Sequence, residues 1–124
     1  MPEKIKVPSI ENIIKAYTEG LEMRVSHEDK NEKGHYFPEE PLIEVYVNNI
    51  NSSQDYSITI AHEFYHYFRP KFSEENVEKC ARFIARESPE IVEFMREVFE
   101  IPEYEKIKTN PEQKNNYIHY QKMK

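Results

Sequence analysis

The chain has 124 residues, which fits one compact domain. Hydrophobic residues make up 38% and charged residues 32%, and nine Tyr with seven Phe supply bulky core material, which argues against a disordered chain. Two glycines exclude a phosphate-cradling loop, the lone Cys80 excludes a disulfide framework or multi-cysteine zinc site, and a formal charge of −6 argues against nucleic acid or an anionic membrane as partner.

Ser9 reads as the N-cap of a first helix. Ile10, Ile13, Ile14 and Tyr17 follow at i, i+3, i+4, i+7 spacing, one face of that helix, and Gly20 closes it. Residues 21–27 alternate and predict a strand. Residues 29–34 form a polar turn, and His27 and His35 flank the resulting hairpin as surface histidines outside any site. A second short strand spans 35–37 and ends at Pro38. Residues 42–47 give the clearest strand, with Ile43, Val45 and Val47 on one side and Leu42, Glu44 and Tyr46 on the other. This strand is expected at the sheet edge, where an extended peptide could add to it.

A cap-rich loop over 48–53 precedes a helix predicted over 54–68 and stopped by Pro70. Ser73 caps the next helix, which runs to Glu87. Ser88 and Pro89 restart the chain, and Ile91, Phe94, Met95 and Val98 define a further amphipathic helix ending near Pro102. This order predicts an α+β fold: a small three-stranded sheet packed against an N-terminal helix, two central helices and a C-terminal helix. Residues 1–108 are expected to form the single domain and 109–124 a C-terminal tail. The start, MPEKIKVPSI, lacks the apolar run of a secretion signal, and no stretch approaches the ~20 apolar residues needed to span a bilayer. A soluble, cytoplasmic protein without a membrane partner is expected.

The helix over 54–68 contains His62-Glu63-Phe64-Tyr65-His66. Positions i and i+4 stack on one helical face, so both imidazoles project to one point and can hold a single zinc ion. Glu63 lies about 100° round the helix from His62, beside the metal, where a base would touch a zinc-bound water. A catalytic zinc needs a third protein ligand and a position left for water. The next helix offers Glu74, Glu75, Glu78 and Glu87. Helical angles place Glu74 and Glu78 on the side of the apolar stripe Val77, Cys80, Ala81, Ile84 and Ala85. They place Glu75 on the opposite, solvated stripe with Lys79, Arg82 and Arg86. Inward carboxylates need partners. Glu74 is therefore expected to be the third ligand, and Glu78 to accept the outer N–H of His62 and fix its tautomer.

On these residues the chain resembles the gluzincin zinc metallopeptidases, which carry H-E-x-x-H on one helix and a glutamate ligand on a second, often as E-x-x-x-D. Here that segment reads Glu74-Glu75-Asn76-Val77-Glu78, with Glu78 in place of the Asp. The short length and element order are similar to the soluble minimal gluzincins, the minigluzincins. The resemblance covers residues 58–85 by motif. It implies a zincin-like domain with His62, His66 and Glu74 as zinc ligands, Glu63 as general base, and peptide or protein as substrate. Tyr65, Tyr67, Tyr117, Tyr120 and His119 are candidate donors to the oxyanion.

The tail around 115–123 carries Tyr117, Ile118, His119 and Tyr120, which is apolar for a free end. Two readings stay open. It packs on the body, or it lies in its own or a neighbour's cleft with His119 or the terminal carboxylate near zinc, giving a latent zymogen and a homo-oligomer through the tail. Two rival functions also stand beside the peptidase: a non-catalytic, zinc-stabilised protein-interaction module, and a helical partner-binding domain without metal.

Overall fold

The computed structural model of the chain describes residues 7–108. The Ser9 hydroxyl accepts a hydrogen bond from the Asn12 amide, and the Asn12 side chain accepts one from the Ser9 amide. This reciprocal cap starts α1 (Ile10–Thr18). Gly20, at φ +102°, turns the chain out of the helix in a conformation that disfavours a side chain. The buried stripe of α1 is narrower than the sequence suggests. Ile13 and Ala16 are buried, while Ile10, Ile14 and Tyr17 remain 49%, 45% and 51% exposed. The helix packs mainly on α4 (Pro89–Val98), with Tyr17 meeting the edge of Phe99.

Three strands follow: β1 (Glu22–Ser26), β2 (Gly34–Phe37) and β3 (Leu42–Tyr46). Their order in the sheet is β1-β3-β2, with β1 parallel and β2 antiparallel to β3. Two expectations are corrected here. The strand over 42–47 is central, and β1 and β2 do not pair as a hairpin. Leu42, Ile43, Val45 and Tyr46 are all 5% exposed or less, so β3 is buried on both faces, as a central strand must be. The polar segment 27–33 passes the end of β3 instead of turning back. It is tied down by the short 3-10 turn after β3: Asn48 donates to the His27 carbonyl, and Asn49 donates to the carbonyls of Lys30 and Glu32. The tight connection lies between β2 and β3, through Pro38 and Pro41.

Ser52 caps α2 (Ser53–Phe68), accepting from the Asp55 amide. Its residues Ala61, Phe64 and Tyr65 are fully buried, and it lies across β2 and β3. The chain reverses through a turn closed by the Phe72 amide on the Arg69 carbonyl. Ser73 then caps α3 (Glu74–Glu87), whose stripe Val77, Cys80, Ala81, Ile84 and Ala85 is buried against α2. Cys80 is thus a small core residue, as its spacing predicts. A last helix, α5 (Tyr104–Lys108), was not apparent in the sequence. It is seated by Tyr104 and Ile107, while Tyr56 donates to the Pro102 carbonyl and Arg96 to the Ile101 carbonyl. The result is a small α+β fold with a mixed sheet. Among the described residues, no helix is long and apolar enough to cross a membrane.

Candidate metal centre

The core residues of α2 fix which side of it is left for chemistry. With Ala61, Phe64 and Tyr65 turned inward, the stripe Thr59, His62, Glu63 and His66 faces β2 and the first turn of α3. The rings of His62 and His66 stand 5.0 Å apart between centroids. The turn after α2 brings Glu74, the first residue of α3, directly onto them. Glu74 Oε1 lies 2.9 Å from His62 Nε2 and Glu74 Oε2 lies 3.1 Å from His66 Nε2. One ligand atom from each of the three residues falls within 4.8 Å of the others. Donors around a tetrahedral zinc, each bound at roughly 2.0–2.2 Å, lie about 3.3 Å apart, so the spacing suits one small ion.

Hydrogen-bond arithmetic supports the fit. Glu78 Oε1 lies 2.7 Å from His62 Nδ1. A neutral imidazole has one N–H. Donated from Nδ1 to Glu78, it leaves the Nε2 lone pair facing a carboxylate oxygen, so either a second ring proton or a metal cation belongs between them. His66 Nε2 likewise faces a Glu74 oxygen, and burial lowers the His66 pKa despite the opposing charge of Glu74. Two imidazoles and one carboxylate form the donor set of catalytic rather than closed structural zinc sites.

The two glutamates of α3 differ from their sequence description in one respect. They are not buried: the Glu74 side chain is 74% exposed and that of Glu78 is 37% exposed. They face the histidines across the surface cleft between the helices. Arg82 also departs from its expected place on the Glu75 stripe. Its Nε donates to Glu78 Oε2 at 2.6 Å, so the i, i+4 pair holds the carboxylate that holds His62. If the cluster holds zinc, replacing Glu78 with alanine is expected to weaken its binding about 10–100-fold, the usual effect of losing such a partner. Competition with a chromogenic chelator measures it, and unchanged affinity would remove that role.

Glu63 is 7% exposed. Burial pushes its pKa up to about 7, against the opposing influence of His62 and His35. Two clefts open on either side of it. One, of about 270 Å³, is lined by Lys33, Asp55, Ile58, Thr59 and Arg82. The other, of about 430 Å³, runs past Tyr36, Pro38, His66 and Pro70. Glu32, Gly34, Glu63 and Glu74 line both.

The second cleft follows β2, which is an edge strand. The Tyr46 amide donates to the Lys33 carbonyl, so Lys33 and Tyr46 form a hydrogen-bonded pair. By alternation, the backbone groups of Gly34 and Tyr36 point away from β3. The edge open to an added strand is therefore β2, beside Glu63.

The other candidates fall elsewhere. Tyr65 is fully buried in the core, and the Tyr67 hydroxyl donates to Glu19, the residue that follows α1. His35, expected outside any site, instead lines the second cleft: its side chain lies beside Glu32 and against Phe37, and its charge acts on Glu63 and His66. Tyr117, His119 and Tyr120, and with them the tail readings, lie outside the described residues. Sequence reasoning passed over Gly34, Thr59 and Glu32. Of these only Gly34 left a signal: a rare glycine opening a strand marks a close approach. No protein-family model, curated protein or solved structure matches the chain.

Proposed function

We propose that this protein is a zinc-dependent peptidase of gluzincin type, with His62, His66 and Glu74 holding the ion and Glu63 acting as base. The observation that carries this reading is a convergence. Two imidazole nitrogens and a carboxylate meet beside a buried second carboxylate, at the open edge of a sheet. When bound there, zinc supplies Lewis acidity toward water and the scissile carbonyl.

The protein's own groups do the rest. An extended peptide pairs with the outward backbone of Gly34 and Tyr36, which holds its carbonyl in the cleft. Glu63 removes a proton from the attacking water as the new C–O bond forms. It then delivers that proton to the amine nitrogen as the C–N bond breaks, so each cycle returns the carboxylate. Glu78, braced by Arg82, keeps His62 in the tautomer whose Nε2 is a ligand.

The test is a zinc titration of metal-free protein prepared without a His tag. About one ion per chain is expected to bind, and cleavage of an unstructured polypeptide is expected to rise in proportion to occupancy. A fully loaded protein that cleaves nothing would leave the zinc-stabilised interaction module in its place. A protein that binds no zinc would remove both.

A further inference from the structure

Gly20 needs its positive φ, but Gly34 does not share that conformation, so backbone freedom does not explain the second glycine. Space does. A Cβ at position 34 would stand 2.9 Å from Thr59 Cγ2, 3.1 Å from the Glu44 carbonyl oxygen and 3.1 Å from Glu63 Cγ. Carbon atoms in contact ordinarily lie about 3.5–4.0 Å apart. The strand therefore lies against α2 at a separation that a side chain would disturb. The three neighbours do not yield equally. The Glu44 oxygen belongs to the backbone of the central strand. Thr59 is a β-branched residue in a helix, 5% exposed and stiff at χ1. Glu63 has a rotatable stem bordered by both clefts. An added methyl group at 34 therefore displaces Glu63 first.

We infer that Gly34 is a positioning residue for Glu63: its missing side chain sets where the Glu63 carboxylate sits between the ligand cluster and the open edge of β2. The inference rests on the peptidase reading above. None of the three atoms nearest the added methyl belongs to His62, His66 or Glu74, so ion binding and placement of the base separate cleanly.

The experiment compares the full chain with Gly34→Ala and with Gly34→Ala/Thr59→Ser. Four quantities are read: zinc affinity, thermal stability, kcat and KM on an unstructured peptide, and the Glu63 carboxyl carbon resonance, assigned by its loss in Glu63→Gln. Gly34→Ala is expected to keep wild-type zinc affinity, to shift the Glu63 resonance, and to lower kcat about 10–100-fold, the scale of a misplacement near 1 Å. Thr59→Ser deletes the methyl at 2.9 Å, so the double variant is expected to regain stability. Its resonance stays shifted and its kcat low, because the Glu63 contact persists. An unshifted resonance with wild-type kcat overturns the inference. So does a double variant that recovers kcat along with stability, since Gly34 would then serve packing on Thr59. A loaded wild type without turnover sinks the peptidase reading and the catalytic meaning of Gly34 with it; an active wild type with an unperturbed Gly34→Ala sinks this inference alone.

Discussion

Glu63→Gln is expected to abolish peptide hydrolysis while making the metal-free protein more stable above neutral pH. Glutamine keeps the shape of the side chain and cannot accept a proton. General-base catalysis contributes about 10²–10⁴-fold, so residual turnover is expected to fall by at least that range while zinc affinity is kept. The stability gain follows from burial. In the unfolded chain Glu63 ionises near its ordinary value of 4.5, whereas in the folded protein it does so at about 7. Between those values the unfolded chain releases a proton that the folded protein retains. Folding stability therefore falls as pH rises through that window and stays lower above it, by about 3 kcal/mol. Glutamine removes that penalty. Urea unfolding of the metal-free proteins at pH 4.5 and pH 8 measures the effect, with the gain expected at pH 8. An equal change at both values would mean that Glu63 is not held in an environment hostile to charge.

The second large effect belongs to Glu74. Glu74→Ala is expected to weaken zinc binding by more than the roughly 10–100-fold typical of an outer partner and to remove turnover at ordinary zinc concentrations. Glu75→Ala, one position on and exposed, is expected to leave both unchanged. The comparison is clean because Glu74 takes no part in the core. Its side chain is 74% exposed, and the Ser73 cap and the buried stripe of α3 do not depend on it. The metal-free variant is therefore expected to unfold at the wild-type denaturant concentration. Equal zinc affinity in the two variants would end the assignment of Glu74 as a ligand.

What could be read in advance tracks how local each feature is. The caps at Ser9, Ser52 and Ser73 act within three residues, and their helices begin where the sequence places them to within one residue. His62 and His66 share a face because of helical pitch alone. Glu74 meets them because the turn at Arg69 and Phe72 leaves the chain little choice of direction. The sheet was less legible. The side chains of Asn48 and Asn49 that hold segment 27–33 across the end of β3 look like ordinary loop residues, and a polar run between two strands also reads as a hairpin. The central place of β3 lay in Leu42 and Tyr46 being covered on the second face. Tyr46 there donates to Glu44 and has Lys30 over its ring, contacts with no period in the sequence. α5 spans only Tyr104–Lys108, too short to show a repeat. Arg82 was misplaced because a long side chain can reach a neighbour one turn back as easily as solvent.

The two helices that carry His62 and Glu74 are consecutive, and these donors are 12 positions apart in the chain. A loop that short closes at little entropic expense, so the candidate ligand cluster sits on a helical hairpin nearly complete in itself. The strand that would guide a substrate under the proposed reading comes from a separate, earlier stretch of chain. On that reading ion capture and choice of substrate would be housed in different pieces of polypeptide, and positions of the edge strand other than Gly34 could drift in sequence without touching the ligand cluster.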